Sequence, residues 1–545
     1  MNNRLSAFIS KKAVNAIEWK LLIFLVLFMD VKLVVKLAAI VLIFILQPDF
    51  KFGFNIKNSR LPVFYLLMPA TAVLNWLLYQ NFSLDYSLVL LTGVLFWVAS
   101  ILAIQQVKLF VEKTPVETLH DTLVLFFIIN IAFSLLNLAA IFWEIGLQNP
   151  FRYQGEYQKY FINTGDHIKG LSFDSSTTNA LINSFGIIYF LYRKIYLLTL
   201  ACMATLILTA SNFTNLVMLL VLLLIFVFRS SKEQKSIMTV CIFMLVIFLA
   251  KFSPQNDSYI TENFKNYFLK KEARSHPAVR EIPIRERPDS LLNTESRKEK
   301  IAVLFLDSLE RAHLGIQAAI EKTAVVSLVN EQNIRPQIPG DSIHTPAFQS
   351  RKDTTIVQRQ LIAYVNTHSN DPVVSAAEVE ALPGKIISFI QSIHFFRSHP
   401  GKLLTGEGAG NFSSKLAFRA TGLKMSGGYP QKFIYCDTDF ANNHLALYAA
   451  FFTKTEGSHS IIHSPASVYD QVFTEYGLLG IGSFLFFYIG FFLRHIKKLS
   501  YGIPVLLIMI AAFTVDYWFE QLSIVVLFEL MIFLDIKERA ENIVA

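Results

Sequence analysis

Apolar and polar positions follow one another in blocks along this chain rather than residue by residue. Long apolar runs fill residues 1–253 and 466–545, separated by short polar turns. A helix needs about 20 mostly apolar residues to cross a bilayer. The blocks therefore predict spans at 14–29, 31–47, 61–80, 85–105, 121–146, 177–194, 195–210, 212–229, 235–253, 467–493, 502–517 and 520–536. The first two are short for full crossings. A basic flank (Arg4, Lys11, Lys12) precedes the first run, but no small-residue cleavage site follows it, so the run reads as a retained span rather than a signal peptide.

One stretch breaks the pattern. Residues 254–465 are polar, rich in Pro, Ser, Asn and charge, and hold no spanning run. Such a length is too great for a bare connection. Residues 298–329 put apolar positions on one helical face and charges on the other, and 354–365 and 385–397 read as helix too. Residues 262–299, dense in both charges and in proline, read as meandering chain. With no strand alternation and no internal repeat, the expected fold is all-α: a polytopic membrane bundle of about 12 spans, with a large, mostly helical extracytoplasmic subdomain inserted before the last three. The domains are 1–253, 254–465 and 466–545.

Charge orients this bundle. Lys and Arg gather in alternate turns, at 51–60, 108–113, 193–194, 229–235, 494–498 and 537–539, whereas 81–85, 209–212 and 516–521 are nearly free of them. The positive-inside rule then puts both ends in the cytoplasm and 148–177 and 254–465 outside. Ten of the twelve histidines fall in those two outer segments, so chemistry is sought there.

Composition agrees: 53% of residues are hydrophobic and only 17% charged, against about 25% charged in soluble proteins. The net charge of +8 is accounted for by the inner turns, which argues against a nucleic-acid partner. Of the three cysteines, Cys202 and Cys241 lie in apolar runs and Cys436 in the polar segment, which gives neither a disulfide framework nor a metal-type spacing.

One junction stands out. HSPASVYDQVFTEYGLLG (463–480) carries His463, Asp470 and Glu475 toward a span, although a charged group in hydrocarbon costs about 2.5 kcal/mol or more. It joins three other short elements at the expected outer face: Gly170, Phe173, Asp174 and Ser176 leading into a span; Thr209 and Ser211 at a hairpin tip; and Pro400 followed by Gly406, Gly408, Gly410 and Phe412. In this order the four elements, from about residue 151 to 494, resemble the O-antigen ligase and polysaccharide polymerase superfamily. The chain departs from the family pattern in offering His167 or Lys169, Lys385 and Asn212 where arginine is common, and in placing His463 about one helical turn early.

The resemblance implies a transferase of polyprenyl-diphosphate-linked glycans in a bacterial inner membrane, with membrane lipid and other polysaccharide-assembly membrane proteins as partners. Polymerisation of O-antigen or exopolysaccharide is the first expectation. The alternative is a ligase that moves the glycan to a lipid or protein acceptor. A transporter or flippase would show repeated halves, and a sensor would need an output domain.

The chemistry can also be argued without the family. A leaving diphosphate calls for cations, and Arg152, Lys159, Lys169, Lys385 and Arg397 are available, each equally readable as a solvated surface or headgroup contact. A sugar hydroxyl that attacks needs a base. His463 is the candidate, against the plain reading of a boundary histidine. Asp174, Glu475, Gly406, Gly408 and Gly410 are read as structural support, although glycine N–H groups also suit a phosphate. No cofactor and no metal are expected.

Overall fold

A computed structural model of the chain describes residues 17–30, 32–50, 61–145, 150–152, 168–173, 175–252, 384–421, 435–445, 447 and 464–544. The expected helices at 298–329 and 354–365 lie outside the described residues. Among the described residues there is helix and no strand.

Helices α1 (Trp19–Phe28), α2 (Leu33–Leu46), α3 (Phe64–Tyr79), α4 (Leu84–Lys113) and α5 (Val116–Ile145) are followed by short turns at Pro150–Arg152 and Gly170–Ser172. Next come α6 (Ser176–Tyr192), α7 (Tyr196–Leu208), α8 (Asn212–Phe228) and α9 (Lys232–Ile247). After the polar insert the chain resumes with α10 (Gly384–Ser398) and α11 (Lys415–Ala420). It ends with α12 (Val468–Ser483), α13 (Gly502–Ala512), α14 (Trp518–Gln521) and α15 (Ser523–Val544). Among the described residues four helical stretches are long and apolar enough to cross a membrane: Leu84–Lys113, Val116–Trp143, Lys232–Phe252 and Val468–Lys498. Six shorter helices of 10–17 residues are also apolar.

Local chemistry sets several of these boundaries. Ser83 caps α4 by accepting from the Tyr86 N–H, and Ser231 with Gln234 forms a capping box at α9. Gly186 lets α6 approach its neighbours, since a Cβ there would lie 2.8 Å from Cys202 Sγ and 3.0 Å from the Phe127 ring. Small residues of this kind are the usual means of close helix packing in a membrane. The centre of the bundle is aromatic: Phe64, Tyr65, Trp97, Phe484, Tyr488 and Phe519 pack ring against ring.

Two expected spans are not simple rods. The helix that begins at Val468 breaks at Gly477 (φ 64°, ψ −155°) and passes through a π-turn at Phe484–Ile489. The block at 520–536 resolves into α14, a residue with positive φ (Leu522, 66°), and α15.

The bundle has two different polar ends. At one, Lys537 Nζ donates to the carbonyls of Val111 and Thr114, Arg193 pairs with Glu538 at 2.6 Å, and Asp535 accepts from the N–H groups of Ser500 and Gly502. The other end gathers the tip of α3, α10, the glycine turn, residues 435–445 and the start of α12. Asn75 there donates to the Gly406 carbonyl at 2.6 Å, and Tyr79 to that of Gly401 at 2.9 Å.

Candidate functional site

The second end is where the sequence elements of interest meet. Its centre is the break in α12. Beyond the break the Leu479 N–H turns to the Leu404 carbonyl at 3.0 Å, and the carbonyls of Thr474 and Glu475 accept from the N–H groups of Glu407 (2.9 Å) and Gly408 (3.1 Å). The glycine turn thus supplies the hydrogen bonds that the broken helix lacks. Glycine is required at Gly406 (φ 78°), where a Cβ would fall 2.4 Å from the backbone of Glu475.

Glu475 completes this clasp. Its carboxylate accepts from Gly410 N–H at 2.9 Å and Phe412 N–H at 3.2 Å, and the residue is only 1% exposed. The N–H groups that could have cradled a phosphate are therefore used on the chain's own carboxylate and carbonyls.

Asp470, one turn earlier on α12, is enclosed as completely. It accepts from Ser388 Oγ, from Ser413 Oγ at 2.7 Å and from Ser392 Oγ at 2.6 Å, and His444 Nε2 lies 3.0 Å away. The same His444 nitrogen is 2.7 Å from Ser388 Oγ. A Ser–His–Asp relay divides the two ring nitrogens between acid and hydroxyl. Here one nitrogen faces both, so the group is a buried polar knot rather than a triad.

Lys385 reaches the same neighbourhood. Its ammonium donates to the Ala466 carbonyl at 2.5 Å, with that of Val515 at 3.5 Å, tying α10 to the start of α12 and the turn after α13. Burial lowers its pKa to about 7, opposed by the charges of Asp516 and Asp470. Arg397 is exposed near the end of α10.

A third cluster holds three carboxylates, Glu407, Asp437 and Asp439, with oxygens within 4.8 Å of one another. The cation among them is the chain's own. Lys402 Nζ lies 2.5 Å from Glu407 and 3.8 Å from Asp439, over the rings of Tyr79 and Phe395. Burial pushes Glu407 up to about 8 while Lys402 pulls it down, and burial also raises Asp437.

The first two motif elements lie at α5–α8. Two asparagines, Asn130 buried and Asn137 half-buried, grip the turn at Gly170: Asn137 Oδ1 accepts from Gly170 N–H at 3.0 Å, and Asn130 Oδ1 from Leu171 N–H at 3.2 Å. Lys169 is partly buried beside it. Thr209 and Ser211 close the α7–α8 turn with their own hydroxyls, the former onto the Leu206 carbonyl at 2.6 Å and the latter with Thr214 at 2.9 Å. Ile168 and Leu208 belong to one small apolar cluster, which joins these two elements. His463, Lys159 and Asp174 lie outside the described residues, as does the side chain of Arg152.

The residues that sequence reasoning missed are Gln471 and Glu520. They line a small pocket with Glu475, Trp97, Tyr476 and Phe519. Gln471 Nε2 donates to Glu520 Oε1 at 2.5 Å, and Lys415 and Arg419 of α11 place positive charge beside Glu520. A glutamate in a turn with few basic residues was the available signal. No protein-family model, curated protein or solved structure matches the chain.

Proposed function

We propose that the chain is a membrane glycan transferase acting on polyprenyl-diphosphate-linked oligosaccharide at the outer face of a bacterial inner membrane. Polymerisation of O-antigen or exopolysaccharide repeat units is the preferred reaction, and ligation to a lipid or protein acceptor is the alternative. The observation that carries this reading is the bond between Glu475 and the N–H groups of Gly410 and Phe412. It joins two of the four family-like elements across more than sixty residues of chain, at an end of an apolar bundle crowded with carboxylates, cations and aromatic rings.

In this reading the end carrying the glycine turn faces outward and both termini are cytoplasmic. The lipid tail of the donor stays in the bilayer while its diphosphate and sugars meet the polar layer. Cations balance the leaving diphosphate, with Arg152, Lys159, Lys169 and Arg397 as candidates. Lys385, whose ammonium is already engaged by two carbonyls, is the weakest of the set. His463 remains the histidine candidate for the base.

The test is to remove the chain from its cell and run surface polysaccharide on a gel. Loss of the ladder with single repeat units remaining supports polymerisation. Accumulation of full-length lipid-linked polymer supports ligation. Unchanged polysaccharide overturns the reading.

A further inference from the structure

The pocket between α4, the glycine turn, α11, α12 and α14 is a cavity of about 10 Å³, room for one water-sized group. Its hydrogen-bond account does not close. Both oxygens of Glu475 already receive backbone N–H groups, and Glu520 Oε1 receives Gln471 Nε2. The Trp97 N–H is engaged by Tyr476 Oη at 2.9 Å. Two buried acceptors are left with no hydrogen-bond partner, Gln471 Oε1 and Glu520 Oε2. Gln471 is only 4% exposed, so bulk water does not serve it.

Unmatched buried acceptors cost about 1–3 kcal/mol each, and a group that fills this space must bring a donor. The positive charge of Lys415 and Arg419 beside Glu520 makes a bound cation a poor occupant and favours a neutral O–H. A water in this space in the resting protein would mark the place of the oxygen that displaces it. The aromatic walls suit the carbon face of a sugar at the rim, while the pocket itself admits only a single hydroxyl.

We propose that this pocket receives the attacking hydroxyl of the acceptor sugar, with Glu520 in place of His463 as its proton acceptor and Gln471 as the positioning residue that holds the Glu520 carboxylate. The proposal rests on the transferase reading. The hydroxyl oxygen forms the new bond to the anomeric carbon of the donor. The bond from that carbon to the diphosphate oxygen breaks, its electron pair leaves on the diphosphate, and the hydroxyl proton passes to Glu520 Oε2.

The test uses the full chain in proteoliposomes with lipid-linked repeat units, followed by polymer length, donor binding and pH profile. Glu520→Gln should fold, bind donor with unchanged Kd and lose about 10²–10⁴ in kcat, the usual worth of a general base. Glu520→Asp should recover part of the rate. Gln471→Met should raise the KM for acceptor and shift the acidic limb of the pH profile, leaving donor Kd unchanged. Wild-type kcat in Glu520→Gln overturns the proposal alone. Should that variant not fold, an unmoved acceptor KM and pH profile in Gln471→Met overturns it. A wild-type protein that neither extends a lipid-linked donor nor moves its glycan to a lipid or protein acceptor overturns the transferase reading beneath it.

Discussion

Asp470 and Glu520 are carboxylates of the same polar layer, linked through neighbouring residues of α12, yet they are treated in opposite ways. Asp470 is surrounded by three serine hydroxyls and a histidine. Glu520 has one donor on one oxygen and none on the other. A saturated carboxylate is a fastener, because nothing further can approach it without displacing a partner. An unsaturated one beside a cavity is available for chemistry. Acidity and burial alone do not separate the two roles; the donor count does.

The largest expected effect tests the fastener. Asp470→Ala leaves three serine hydroxyls and the His444 ring without their shared buried acceptor, at about 1–3 kcal/mol for each polar group left unmatched, so it should lower the unfolding midpoint in detergent sharply, with His444→Ala following in the same direction. An Asp470→Ala protein as heat-stable as wild type would break the comparison.

The next effect is a slope. Lys385 titrates near 7 in the folded protein, below its ordinary 10.5. The unfolded chain then binds the extra proton between those values, so this residue makes stability rise with pH from about 7 to 10.5. Lys385→Met should flatten the rise in the midpoint measured across that window. An identical slope in the variant would show that the ammonium is not withdrawn from water.

The smallest expected effect is the sharpest. Glu520→Gln keeps the oxygen that accepts from Gln471 and removes only a charge facing a cavity and two partly exposed cations. Its unfolding midpoint should move by the equivalent of less than about 1 kcal/mol. A fall as large as that of Asp470→Ala would make Glu520 a second fastener.

Much of the fold was legible because apolar blocks and turn residues act locally. Outside the polar segment the helices of the described residues lie mainly on those blocks, and inside it 385–397, read as helix, is α10, whereas α11 was not foreseen. The breaks were harder to see: the glycine at Gly477 could be quoted from sequence, but the turn that repairs the break lies about seventy residues earlier. The site was legible in part for the same reason. Glu475 and the glycines were singled out together, whereas Asp470 drew notice only as a charge out of place. Its partners Ser388, Ser392, Ser413 and His444 are 26 to 82 residues away, and no periodicity in one segment reports a hydroxyl supplied by another. Gln471 and Glu520, 49 residues apart, escaped attention for that reason.

The bond between the Tyr65 hydroxyl and Glu529 also bears on how this protein is made. Its partners are 464 residues apart, and Ser523 reaches the Phe28 carbonyl across 495. At about 5–20 residues per second of synthesis, α3 waits roughly 20–90 s in the membrane before its carboxylate partner emerges. During that interval the early helices rest on one another with a buried tyrosine unmatched. The nascent chain is therefore a protein whose first third stays provisional until its last helix arrives, and a ribosome stalled before residue 523 should leave a product that is inserted but readily cleared by membrane proteases.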